Sequence, residues 1–477
     1  MSEFITIQVG QCGNQVGSIF WPLVLHEYGI DSNAYLMDTL RTQKTHKQYS
    51  KDLLEAFHSF FYVPKTADVH SFKNISDLNS AKVRARAVLI DMEDSVVSRF
   101  KEGPLRKLFD QTYTISNYPG SGNNWAMGYC THGMEYKERI SEAIRKTAER
   151  CDQLHGFLLM HSAGGGTGSG LGSFTLELLK DCYSHVSSSV SCVYPNGTED
   201  VITAPYNTLL TTNKLIQNGS CIFPAMNKAL LDICKTQASK QENLYQASYT
   251  NSCLPFQDMN SILVNMLLHL TCGSRLPGSL NVDMSDLATN LVPYPHLNYI
   301  FSSVSPVDLV SSFISNSTNP KLQDQLFTNA WSRNNQLLKI DPFQPGSLIL
   351  SAVHLARGNS SLSDLQRNVV RFQNKANFTP WSKEAIKLGL CSIPPAGHSS
   401  SVLCLLNSSA ITHMFVNMIQ NFQKLYKRKA HVHHYTEITG FDESFLMESK
   451  ETVFETYERY IEIQNQKPVE IPRLQLI

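Results

Sequence analysis

Residues 157–172, FLLMHSAGGGTGSGLG, constrain the fold more than any other stretch of the chain. The apolar run 157–160 reads as a buried strand and 171–179 has the spacing of an amphipathic helix, so the glycines between them form a strand-to-helix turn. Gly164, Gly165, Gly166, Gly168 and Gly170 let backbone amides approach an anion closely. Ser162 and Thr167 add hydroxyls, and the helix that follows presents the positive end of its dipole. By this chemistry the loop is a phosphate cradle. It lacks the lysine of GxxxxGK[ST] and has no clean GxGxxG, so neither an ordinary P-loop nor a dinucleotide fingerprint accounts for it. A flexible Gly/Ser linker does not normally join a buried strand to an apolar-faced helix.

Three further segments have the form of loops at the end of strands. Residues 4–9, FITIQV, alternate and are β-branched, and GQCGNQVGSIFW then shifts to helical spacing. In the turn, Gln11 and Asn14 offer amides to a phosphate or a magnesium-bound water. A strand over 87–90 ends in Asp91 and Glu93, two hard oxygen ligands at the carboxyl end of a strand and therefore magnesium candidates. The stretch 119–126, PGSGNNWA, is a turn before a helix, where Asn123 and Asn124 can donate to phosphate oxygens or cap the helix.

The resemblance to the tubulin family rests on these segments. GGGTGSG at 164–170 is the family's phosphate loop, GQCGNQ at 10–15 matches its first nucleotide loop, Asp91-Met-Glu93 its Asp-x-Glu, and SGNNWA its third loop. The likeness spans residues 5 to about 460 and implies GTP or GDP with Mg2+. It places Gln11, Cys12, Ser162 and the 164–168 loop against the nucleotide and Asn123 on its phosphate, with Asp91, Glu93 and Gln11 near the metal, partly through water. Asp200 falls near the ribose, but Ala204 stands where the β-type protein has a ribose-contacting Glu. Asn227 and Asn260 fall where the base edge is read, and Phe256 where a ring stacks on guanine. GSLNVDMSD at 278–286 resembles the loop that in polymers of the family enters the neighbour's nucleotide pocket, which implies Asp286 and Asp283 acting in trans. Read from residues alone, the same loop is a helix start with Asp283 or Ser285 as cap.

At 477 residues the chain exceeds one growing core. The expected architecture is α/β: a doubly wound nucleotide domain over 1–256, a central helix and intermediate α/β domain over 257–404, and C-terminal helices over 405–477. Periodicity predicts the central helix at 257–271 and terminal helices at 412–430 and 442–463. Residues 28–82 read mostly as surface loop with a strand-like FHSFFYV at 57–63, and 237–255 as a surface insertion. Equal numbers of basic and acidic residues, 41 each, leave no net field to recruit nucleic acid or anionic membrane. No secretory pattern or membrane-length apolar run is present, and the cysteines form no CxxC pair, so a cytosolic protein with free thiols is expected. His431, His433 and His434 lack a carboxylate or cysteine at ligand spacing, which favours a structural role. The last fourteen residues carry two bases and one acid and finish on apolar side chains, an end expected to dock or bind a partner. SGNNWA, the 237–255 insertion and KRKAHVHHY resemble the epsilon branch of the family. That likeness implies other tubulin-family subunits, delta-tubulin among them, and centriolar proteins as partners, and implies the centriole, centrosome or basal body as location. The alternatives are a non-polymerising GTP-binding scaffold and a lattice-forming tubulin.

Overall fold

The structure is a computed structural model that describes residues 2–30, 56–69, 72–195, 201–242, 255–307, 320–396 and 398–466. Strand β1 (Glu3–Val9) is buried along its whole length and runs directly into α1 (Gly10–Glu27). A small antiparallel ribbon of β2 (Phe61–Tyr62) and β3 (Arg84–Ala85) precedes β4 (Ala87–Asp91) and β5 (Thr114–Ser116). Then come α2 (Gly133–Ala148), β6 (Leu154–Ser162), α3 (Gly172–Cys182), β7 (Ser187–Tyr194), α4 (Ala204–Asn218), β8 (Cys221–Met226), α5 (Asn227–Glu242) and α6 (Pro255–Leu270). Six strands form one parallel sheet in the order β5-β4-β1-β6-β7-β8. The apolar runs of β4 and β6, and the burial of β1 along its whole length despite its alternating sequence, fit a sheet covered by helices on both faces. The order reverses direction between β1 and β6, and at such a switch point the loops leaving the carboxyl ends diverge and open a crevice.

Beyond α6 lie β9 (Gly278–Leu280), α7 (Met284–Leu291), β10 (Phe301–Ser305), β11 (Ile349–Gly358), β12 (Lys387–Cys391) and β13 (Ser400–Ser408). These strands form a second, mixed sheet in the order β10-β13-β11-β12-β9. α6 packs on α1 and α5 on one side and on β10, β11 and β13 on the other. Its stripe Met259, Ile262, Leu263, Met266, Leu267 and Leu270 is buried as the periodicity predicts. At the junction, Glu27 at the end of α1 lies 2.7 Å from Arg275, just past α6, and 2.8 Å from Arg357 on β11. Burial alone would raise the Glu27 carboxyl, but the two guanidiniums hold it below its usual range.

The C-terminal layer comprises α8 (Thr412–Tyr426), α9 (His433–Thr436) and α10 (Ser444–Asn465), with α10 packed on α4 and α8. α8 stops four residues short of the expected 430. Just beyond its end, Lys429 and His431 adopt positive φ (50° and 60°), a left-handed geometry that a helix cannot continue through. The largest correction concerns the stretch 57–63. A 3₁₀ turn (Ala56–Ser59) and the two-residue β2 replace the expected strand, and Phe57, Phe60 and Phe61 are fully buried, not surface. Phe57 stacks on Phe61 at 4.3 Å and Phe60 on Phe4 of β1 at 5.9 Å, so this segment plugs the core beside α1. The 243–254 part of the expected insertion and residues 467–477 lie outside the described residues.

Candidate functional site

Two strand-to-helix turns interlock at the switch point. Gly10 follows β1 with φ +73°, and a Cβ there would lie 2.8 Å from the Gly168 amide nitrogen, so the first loop and the 164–170 loop touch backbone to backbone. Gly168 itself has Ser162 Oγ 2.7 Å from where its Cβ would be. The glycine loop leads into a π turn (Thr167–Leu171) ahead of α3, and the amides of Gly164, Gly165 and Gly166 donate to no protein acceptor among the described residues. Buried or half-buried amides without partners, gathered at a helix N-terminus, are anion donors. Cys12 is half-buried in the first turn, and burial pushes its thiol up to about 12, so it is a protonated thiol lining the turn and not a nucleophile.

The third loop closes on the second. Ser121 Oγ lies 2.9 Å from Thr167 Oγ1, and a Cβ on Gly166 would meet the Asn124 amide at 2.7 Å. Asn123 is exposed with φ +54°, which keeps its side chain available to a ligand. Asn124 is committed elsewhere: its Oδ1 accepts from the Ala126 amide at 2.9 Å and its Nδ2 donates to the His434 carbonyl at 2.7 Å. It is the helix cap, not a phosphate donor. Asn14 is likewise withdrawn from the site, fully buried and donating to the carbonyls of Gly10 and Ile90 at 3.0 and 3.1 Å.

One residue of this site does not stand out in the sequence. Asn207 on α4 is fully buried. Its Nδ2 donates to the carbonyls of Asn123 (2.8 Å) and Gly164 (2.9 Å), and its Oδ1 accepts from the Trp125 amide (3.0 Å) and the Tyr435 hydroxyl (2.5 Å). The available signal was the row Asn207, Thr208, Thr211, Thr212 on α4, polar residues at helical spacing on a helix with no polar face of its own.

Asp91 ends β4 with its carboxylate buried, and Oδ2 has no hydrogen-bond partner among the described residues. Burial, aided by the Glu93 charge, pushes the Asp91 carboxyl up to about 7. An orphaned buried oxygen that resists ionisation alone is the environment a divalent cation would relieve, so Asp91 fits Mg2+. Glu93 is exposed at the N-cap of the helix Asp94–Glu102, reaching the site's rim beside Gly120. Among the described residues no cluster of three or more His, Cys, Asp or Glu could hold a metal by itself, so such an ion would be held chiefly by phosphate and water. His434 stacks on His431, with ring centres 5.8 Å apart, and lies tilted against His433 at 4.0 Å.

On the far side of the crevice, Asn227 opens α5 at the carboxyl end of β8, half-buried. α6 runs in the same sense as α1, because the far ends of both meet in the Glu27–Arg275 pair, and its first turns therefore lie at the same sheet edge. They carry Phe256, 62% exposed, and half-buried Asn260. A large exposed aromatic on an otherwise buried helix is a stacking platform. Gln11 is exposed at the start of α1. Asp200 lies outside the described residues. Ala204 is the buried first residue of α4, where no acid is available.

Asp283 and Asp286 are at the opposite edge. Asp283 Oδ2 accepts from Ser2 Oγ at 3.0 Å, before β1 begins, and Ser285 Oγ donates to the carbonyl of His155, at the amino end of β6. The two aspartates form a capping box on α7: Asp283 Oδ1 accepts from the Asp286 amide at 2.8 Å, and Asp286 Oδ2 takes the Asp283 amide at 3.4 Å. A cavity of about 460 Å³ opens beside them, lined by Ser2, Ser59, Ser274, Asn281 and both aspartates. The seven residues of β1 separate this edge from the glycine loops, roughly 23 Å at strand rise.

The donors present therefore suit a purine nucleotide with a cation. The glycine amides, Ser162 and Thr167 are the donors available to a phosphate, Asp91 is the carboxylate available to a cation, and Asn227, Asn260 and Phe256 are the polar and aromatic side chains available to a base. Comparison with known proteins points the same way. Residues 3–235 match the family model described as Tubulin/FtsZ family, GTPase domain, and residues 295–420 match the one described as Tubulin C-terminal domain. The chain is 38% identical to the tubulin epsilon chain of Mus musculus, over 99% of this chain and 98% of the relative. Identity to the tubulin epsilon chain of Homo sapiens is also 38%, over the full length of both. It is 31% identical to the tubulin beta-7 chain of Gossypium hirsutum over 98% and 96%.

Proposed function

Given that the chain belongs to the tubulin family and carries its GTPase domain, we propose that it is an epsilon-like subunit that binds GTP, with Mg2+, in the crevice between β1 and β6 and stacks head to tail on other subunits of the family. One observation carries the reading: the nucleotide loops and the Asp283–Asp286 pair occupy opposite edges of one sheet, roughly 23 Å apart at the rise of a strand. Asp286 cannot reach a nucleotide held in its own subunit. It can reach one held by the subunit beneath it, where a carboxylate can orient an attacking water. Mg2+ would supply neutralisation of phosphate charge, with Asp91 and Glu93 nearest to it and Gln11 acting through water.

The epsilon likeness supports a place at the centriole, centrosome or basal body of the cytoskeleton, with delta-tubulin and centriolar proteins as partners. Among the described residues no helix is long and apolar enough to cross a membrane. The two sheets and their helices support a division into a nucleotide domain, an intermediate domain on α6 and a C-terminal helical layer. The test is sedimentation of the purified chain with GTP, alone and with delta-tubulin, together with labelled protein in ciliated cells. Nucleotide-dependent co-sedimentation and labelling confined to centrioles or basal bodies are expected. Monomeric behaviour in every mixture would favour a scaffold, and uniform labelling of cytoplasmic microtubules a lattice subunit.

A further inference from the structure

We infer that Asn207 is a positioning residue of the nucleotide site and that Tyr435, on the C-terminal helical layer, anchors its side chain, so that this layer tunes nucleotide affinity. The inference rests on the guanine-nucleotide reading above. Asn207 uses its full hydrogen-bonding capacity, two donors and two acceptor contacts, without solvent. Its donors pin the carbonyls of Asn123 and Gly164, one in each phosphate-facing loop. Thr203 Oγ1 is a second donor to the Asn123 carbonyl at 2.8 Å. That double hold supports consecutive left-handed residues, Gly122 and Asn123 at φ +54°, a geometry that costs a non-glycine residue energy unless its surroundings fix it.

An amide of this kind works only if its oxygen and nitrogen point the right way. The Trp125 amide, which can only donate, requires oxygen on its side and so directs Nδ2 to the loops, and the Tyr435 hydroxyl donates to the same oxygen at 2.5 Å and holds it there. Tyr435 is itself fixed by the layer it belongs to. It is fully buried, 5.5 Å from the Tyr206 ring and 5.6 Å from Phe441, and Tyr206 OH donates to the Ala430 carbonyl at 2.7 Å. The Asn124–His434 hydrogen bond is a parallel tie between the same layer and the same loop. Any movement of the segment 430–441 is therefore felt at Asn123 and Gly164, and by linkage bound nucleotide must in turn hold that segment.

The test compares two conservative variants of the full chain, each losing one buried tyrosine hydroxyl. Tyr435→Phe breaks the contact to Asn207. Tyr460→Phe breaks a similar one to Asn407 Oδ1 (3.2 Å) on β13, away from the loops. Both are expected to lower the melting temperature, but only Tyr435→Phe weakens GTP binding, by roughly fivefold for one lost buried hydrogen bond. In an Asn207→Ala background the same Tyr435→Phe change adds nothing to the loss. GTP affinity in Tyr435→Phe within twofold of wild type, or matched by the loss in Tyr460→Phe, overturns the inference while leaving the nucleotide reading intact. A wild-type chain that binds no GTP overturns that reading and this one together.

Discussion

The amide of Gly168 occupies the space in which any side chain on Gly10 would begin, 2.8 Å from the position of its Cβ. The first nucleotide loop and the phosphate loop are thus one object, and Gly10 also holds a positive φ. Gly10→Ala is expected to cost about 1–3 kcal/mol of stability and to weaken nucleotide binding more than tenfold. Thermal melting and GTP titration check both; a variant with wild-type affinity would mean that the loops do not bind together.

The buried Glu27–Arg275–Arg357 cluster joins α1, the end of α6 and β11, and so fixes one sheet against the other. Neutralising Glu27 leaves two uncompensated guanidiniums in the interior. Glu27→Gln is expected to lose about 3–5 kcal/mol in denaturant unfolding, whereas breaking an exposed pair such as Arg367–Asp324 is expected to change little. Comparable losses from both would show that the junction does not depend on the cluster.

Most of the candidate site was legible because the chemistry that marks it as a candidate is local. Glycine spacing after a strand announces a phosphate loop, and Asp91 follows its strand by sequence alone. What was not legible depends on distant partners. Asn207 is ordinary until four groups from three other segments converge on it, and Asn124 looks like a phosphate donor until His434 is seen to accept its amide. The phenylalanines at 57–61 failed for the opposite reason: an irregular, polar-flanked stretch gave no period, while tertiary packing buried three rings beside α1. Periodicity recovered the central helix to within two residues, since its apolar stripe is packed on both sides.

Three buried histidines make the fold acid-sensitive. Burial lowers His161, beneath the phosphate loop, and His354 to about 4, and His269 to about 3. In the unfolded chain they take protons near pH 6.5, so unfolding binds protons between that pH and the folded values, and stability falls as pH drops from about 6.5 toward 4. His161→Gln is expected to flatten the decline by about one proton's worth of slope. Melting temperature against pH measures it; an unchanged slope would mean that His161 is charged in the fold.

If Asp286 acts on the nucleotide of a neighbouring subunit, GTP hydrolysis per chain rises with protein concentration and disappears in Asp286→Ala while GTP binding remains. Asp286 is also the N3 partner of the Asp283 cap on α7, and its side chain adds only the 3.4 Å reciprocal contact while the cap itself remains, so the variant is expected to stay folded. Turnover independent of concentration would place the catalytic group within one subunit.

The central claim is that the crevice between β1 and β6 recognises guanine. The most direct measurement is a titration of the purified chain with GTP and with ATP in the presence of Mg2+, repeated with Asn260→Asp. Asp in place of Asn260 removes a donor and sets a second acceptor against the guanine carbonyl, a loss of about 1–3 kcal/mol. GTP preferred over ATP, with that preference reduced roughly tenfold or more in the variant, is the predicted result. Equal affinity for the two nucleotides, or an unaltered preference in Asn260→Asp, would contradict it.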